Sequence, residues 1–185
     1  MFWRRESEMK TMKILLVGLI WIGLIGCNLF GERDSASPMQ VGLGVVQNSA
    51  PAGEITKDVS IRQTFEALYD NLAGVSIYMA TYGRQNSSTL TVSIVQADKE
   101  KVLKTYHIDS SKLLNNSWLL LPFEVVKESK NKAFWVDIQG NGEPENSPTV
   151  WMNTESTFAE SRGKLFINAK ESPGSLCFQL YYSIR

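Results

Sequence analysis

Two cysteines, one histidine and no apolar run of spanning length are what this 185-residue chain offers to metal, redox and membrane-spanning chemistry. Cys27 and Cys177 stand too far apart in sequence for a spaced-pair metal motif, and there is no H-E-x-x-H, no glycine-rich phosphate loop and no G-x-S-x-G elbow. The charge is balanced, 19 basic against 19 acidic residues. No polybasic surface is therefore available to hold nucleic acid or anionic lipid. With the acid, base and nucleophile constellations missing, catalysis is not expected, and neither a cofactor nor a metal is called for.

What is present begins at the N-terminus. Residues 1 to 13 carry Arg4, Arg5, Lys10 and Lys13, and ILLVGLIWIGLIG follows without a charge. That core is well short of the roughly 20 residues of a membrane-spanning helix, and the order of basic, apolar and polar stretches is that of a signal peptide. Met9 or Met12 would open a shorter basic leader of the same kind. Leu24-Ile25-Gly26-Cys27 resembles the bacterial lipobox. The resemblance implies cleavage after residue 26 and a diacylglycerol on the Cys27 thiol, a role only a sulfur nucleophile can fill. An uncleaved signal anchor and a secreted domain cut elsewhere are the alternatives. Two or three acyl chains, at about 0.8 kcal/mol per buried CH2, would anchor the chain durably to a bacterial membrane, facing periplasm or exterior. Asn28 is not the Asp that retains lipoproteins at the inner membrane of many Gram-negative bacteria, which favours the outer membrane in such a cell.

Residues 1–26 hold four basic and two acidic side chains, so the remainder carries 15 basic and 17 acidic groups. With Cys27 acylated, Cys177 has no partner and reads as a packed thiol in SLCFQLYYSI. Residues 27–52, rich in Gly, Ser, Ala, Pro and Asn, read as a flexible tether, although VGLGVV could form an edge strand. The folded domain is expected over residues 53–185.

Its period is two. Val75, Ile77 and Met79 alternate with Ser76, Tyr78 and Ala80, and Leu90, Val92 and Ile94 alternate with Thr91 and Ser93. The intervening TYGRQNSST, with Gly83 and Asn86, predicts a hairpin. Further strands are expected in SIRQTFEA, KVLKTYHI, SWLLLPF, KAFWVDI, TVWMN, KLFINA and LCFQLYYSI, and a single helical turn capped by Asp109. Nine short strands without a long helix make an all-β antiparallel sandwich.

Gln63-Thr64-Phe65, Asn71-Leu72-Ala73-Gly74-Val75, Ala80-Thr81-Tyr82-Gly83-Arg84-Gln85-Asn86, Ile108-Asp109-Ser110-Ser111 and Glu128-Ser129-Lys130 together resemble a jelly-roll module of bacterial envelope and membrane proteins. That module is sometimes met alongside glycosyltransferase-type chains, and its shape is similar to galactose-binding-like domains. The likeness covers roughly residues 53 to 153. It implies a jelly roll and a carbohydrate-binding analogy, and no reaction.

Among the residues themselves, a saccharide site needs a flat aromatic beside forked polar groups. In KAFWVDI, Trp135 and Asp137 share the face opposite Phe134, Val136 and Ile138; in TVWMN, Trp151 shares a side with Asn153. These four form one candidate platform, set against the alternative that both tryptophans pack inside. Tyr82, Arg84 and Asn86 form a second candidate, set against Arg84 pairing with a carboxylate while Tyr82 closes the core. Trp118, with apolar neighbours on both sides, reads as core, and His107 as a structural or surface imidazole. Asp98/Glu100 and Glu143/Glu145 fall in turn-like stretches and read as solvated charge. Two functions remain: a lipid-anchored envelope protein whose non-catalytic sandwich binds a glycan, or a scaffold lipoprotein docking on a membrane protein partner through a strand edge or sheet face.

Overall fold

The computed structural model describes residues 39–157 and 161–184. The signal-peptide segment and Cys27 lie outside the described residues. Thirteen strands follow one another: β1 (Met39–Val45), β2 (Ala50–Pro51), β3 (Ser60–Glu66), β4 (Leu72–Ala80), β5 (Thr89–Gln96), β6 (Lys101–Asp109), β7 (Ser117–Val126), β8 (Ala133–Gly140), β9 (Thr149–Asn153), β10 (Leu165–Ile167), β11 (Lys170–Ser172), β12 (Ser175–Leu176) and β13 (Phe178–Ser183). Each of the nine expected segments contains a strand. Asp109 caps the short 3-10 turn Ser110–Lys112, accepting the Ser111 N–H at 3.0 Å and its hydroxyl at 2.7 Å. Those bonds hold the Asp109 carboxyl below the usual carboxylate range.

The strands make two antiparallel sheets. A seven-stranded sheet runs β1-β13-β4-β9-β12, with β7 along β4 and β2 beside β9; a six-stranded sheet runs β11-β10-β3-β8-β5-β6. From β3 to β10 the chain passes repeatedly between the sheets, with β5 and β6 alone staying in one. This is an antiparallel sandwich of jelly-roll topology.

Period-two alternation builds the core. Ile61 and Phe65 of β3, Val92 and Ile94 of β5, and Phe134, Val136 and Ile138 of β8 face Val75, Ile77 and Met79 of β4 and Phe178 and Leu180 of β13, all buried. Phe65 packs on Phe134 within its sheet at 5.7 Å and on Phe178 across the interior at 5.8 Å between ring centroids. Gln63 is the polar exception on the inner face of β3. Its Oε1 accepts the Ser175 hydroxyl at 3.1 Å and the Leu176 N–H at 2.9 Å, while its Nε2 donates to the Thr64 carbonyl at 2.8 Å. A buried amide with both its oxygen and its nitrogen bonded thus ties one sheet to the other.

Three expectations need correction. The tether does not extend to residue 52: β1 pairs with β13 from Met39↔Ser183 to Val45↔Phe178, and β2 pairs with β9. Val45 is buried in the core, and the edge strand that VGLGVV allowed is the one formed, beside β13. β4 and β5 are not a hairpin, because they lie in different sheets and TYGRQNSST arches between them. Turn residues license a reversal without stating whether the chain returns beside itself or across the sandwich. Trp118 is not core. It lies on the outer face of β7, 37% exposed, against Tyr78 at 4.9 Å between rings, since β7 buries only Leu121 and Phe123.

Candidate functional site

The register of the six-stranded sheet assembles a polar row on its outer face. Phe166 of β10 stands opposite Arg62 of β3, Arg62 opposite Asp137 of β8, Asp137 opposite Ser93 of β5, and Ser93 opposite Thr105 of β6. Beside it Thr64 pairs with Trp135, and on the other side Ser60, Gln139, Thr91 and His107 line up across four strands. On β3, β5, β8 and β10 each of these side chains is the outward partner of a buried apolar neighbour, so the same alternation that fills the core writes this surface.

Arg62, Trp135 and Asp137 are locked together. Asp137 accepts Arg62 Nε at 2.6 Å and Nη2 at 2.9 Å through its two oxygens, and Trp135 Nε1 at 3.0 Å. The guanidinium carbon lies 4.7 Å over the Trp135 ring, a stacked and bidentate geometry that suits arginine and not lysine. The carboxylate raises the guanidinium pKa further above its ordinary value. Two of the five N–H groups of Arg62 are spent on Asp137, and its side chain stays 46% exposed. Together with Ser60, Thr64 and Phe166 these residues line an open cleft of about 470 Å3, within the size range of small-ligand sites.

Trp135 and Asp137 therefore stand together, both half-buried on an outer face. Trp151 and Asn153 do not join them: β9 belongs to the other sheet. Trp151 donates its indole N–H to Asn116 Oδ1 at 2.9 Å, and Asn153 Oδ1 accepts the Glu155 N–H at 2.9 Å. The four-residue platform is thus divided between opposite sides of the sandwich, because period-two reasoning gives a face within one strand and not the sheet to which that strand belongs.

Tyr82, Arg84 and Asn86 do come together in the arch between β4 and β5. Arg84 lies 4.9 Å over the Tyr82 ring, donates to Asn86 Oδ1 at 3.1 Å and to the Ser147 carbonyl at 3.1 Å, and pairs with Glu54. Glu54 in turn accepts the Glu145 N–H at 2.6 Å. Asn86 is buried. The fork that could have held two sugar hydroxyls is shared among Asn86, Glu54 and the Ser147 carbonyl, and the cluster clamps the arch to residues 54 and 145–147. Tyr82 itself is 44% exposed and does not close the core. His107 is exposed at the sheet edge, 3.3 Å from the Thr91 hydroxyl.

Arg62 and Phe166, the two side chains that complete the cleft, were not singled out from sequence. Arg62 is visible as the polar alternate between Ile61 and Gln63, but its meeting with Asp137, 75 residues on, depends on strand register.

Fold and cleft together define a jelly-roll sandwich with a shallow aromatic and polar depression on one outer sheet face. No protein-family model and no curated protein matches the chain. Among solved structures it is similar to a xylanase 10C variant from Cellvibrio japonicus in complex with xylopentaose, with 14% identity, a TM-score of 0.36, and coverage of 72% of this chain and 27% of that one. It is also similar to the protein of T=1 particles derived from infectious bursal virus, with 11% identity, a TM-score of 0.35, and coverage of 82% and 37%. The chain spans well under half the length of either.

Proposed function

We propose that this chain is a lipid-anchored protein of the bacterial cell envelope, attached through Cys27, whose sandwich binds a saccharide without transforming it. The cleft of the six-stranded sheet carries the reading. A pyranose presents apolar C–H faces and a rim of hydroxyls, and the cleft offers aromatic surface from Phe166 and Trp135 beside the prearranged Arg62–Asp137 pair. The pair is fixed before any ligand arrives, so little side-chain freedom is lost on binding.

A glycan screen followed by titration calorimetry tests the reading. Phe166→Ala and Arg62→Ala are each expected to weaken binding about tenfold or more, as loss of a stacking or charge-assisted contact worth about 1.5 kcal/mol requires. Wild-type affinity surviving both substitutions would remove the cleft as the site. For the anchor, mass spectrometry of the native N-terminal peptide is expected to show acylated Cys27 with residues 1–26 gone; an unmodified thiol there rejects it.

A further inference from the structure

The seven-stranded sheet is almost without charge. Its strands β1, β2, β4, β7, β9, β12 and β13 contain one ionisable acid or base of ordinary charge, Glu124, near the end of β7. On the outer face, register places Val41, Tyr181, Gly74 and Pro122 in one row across β1, β13, β4 and β7. Gln179, Ser76 and Leu120 form the next, and Tyr78 and Trp118 the third. Val41 is 45%, Leu120 43% and Trp118 37% exposed. The face opposite carries Arg62, Asp137 and His107. A sandwich with one polar outer face and one outer face that is aromatic and aliphatic but for Glu124 at its margin is not dressed for water on both sides.

The chain also enters the fold on the uncharged side. Met39, the first residue of β1, lays its sulfur beside Gly74 on that outer face. Eleven residues separate Met39 from Cys27. Eleven residues as a random coil would span about 20 Å, so a lipid on Cys27 would hold this face within reach of the bilayer at an effective concentration in the millimolar range.

We infer that the outer face of the seven-stranded sheet, centred on Trp118 and Leu120, rests on the interfacial zone of the bilayer that holds the chain. The inference rests on the lipid attachment at Cys27 proposed above. Tryptophan and tyrosine have an apolar body and a polar tip, the combination that settles at the headgroup level; Trp118, Tyr78 and Tyr181 supply it here, with Val41, Leu120 and Pro122 between them. Glu124, the one carboxylate on this side of β7, stands at its far end from Trp118 and can stay in the headgroup water, and a tethered face needs only weak intrinsic affinity. The cleft on the opposite sheet then points away from the membrane, toward polymer outside it.

The test uses the full chain purified from membranes and reconstituted in phosphatidylethanolamine–phosphatidylglycerol vesicles whose acyl chains are brominated near the headgroup. Tryptophan emission is expected to be quenched. Trp118→Phe should remove more than half of that quenching, Trp135→Phe should remove none of it, and Leu120→Lys should abolish it while leaving the circular dichroism spectrum unchanged. Absence of quenching in protein whose Cys27 carries lipid by mass spectrometry overturns the inference, as does cross-linking of the Trp118 face to a second copy or to an integral membrane protein. Should Cys27 prove unmodified, the anchoring proposal fails separately, and the same vesicles added at millimolar lipid decide the face: quenching centred on Trp118 keeps it, no quenching removes it.

Discussion

At Cys177 the packing sets the chemistry. The thiol is fully buried at the junction of β12 and β13, donating to the Gln47 carbonyl at 3.5 Å, and burial pushes its pKa from 9.0 to about 11. Only the thiolate is nucleophilic, so Cys177 is expected to resist Ellman's reagent at pH 8 in the native state and to react fully in denaturant; rapid native labelling would contradict that. The linkage has a definite sign. A thiol whose folded pKa lies above its unfolded value contributes stability that is whole below pH 9 and lost as pH rises toward about 11. That packed thiol was legible from SLCFQLYYSI, as was the shared face of Trp135 and Asp137, because both follow from local pattern. Arg62 and Phe166 were not, because their partners are set by register between strands far apart in sequence.

At the scale of elements, β1 is the piece whose role the sequence understated. VGLGVV was legible as an edge strand, but the entry of Val45 into the core and the pairing of five β1 residues with β13 were not. Gly42 shows why glycine stands in this strand. A Cβ there would come within 2.4 Å of the Tyr182 ring, so glycine is required by close packing and not by flexibility. Two otherwise identical domains test the point, one beginning at Ser37 and one at Gly53. The shorter is expected to lose about 3 kcal/mol or more in urea titration, from the burial of Val45 and the pairing of β1, and to aggregate through the bared β13 edge. Equal midpoints would show β1 to be an accessory. The arch between β4 and β5 carries the complementary lesson. TYGRQNSST was legible as a turn from Gly83 and Asn86, but its passage across the sandwich is imposed by β8, which takes the place beside β5 that a hairpin would have given to β4.

For the whole molecule, the same sheet that gathers the uncharged face joins the two ends of the chain. β1 opens the described fold and β13 closes it, and β13 lies between β1 and β4. Without the last strand β1 has no partner and β4 loses its pairing from Leu72 to Ile77, and Phe65 loses Phe178 across the interior. Gln63 adds a polar bond between the sheets that neither can satisfy alone. The sandwich should accordingly unfold as one unit. For residues 37–185, which form one compact unit, tryptophan emission and far-ultraviolet circular dichroism are expected to give coincident urea transitions. The reporters are well placed: Trp118 and Trp151 sit on one sheet and Trp135 on the other. Refolding is expected in milliseconds to seconds, as pairings this distant in sequence require, and a chain ending at Pro173 should give no cooperative transition. Transitions that separate, with Trp135 released before Trp118, would mean that the two sheets are held together less firmly than a shared interior implies.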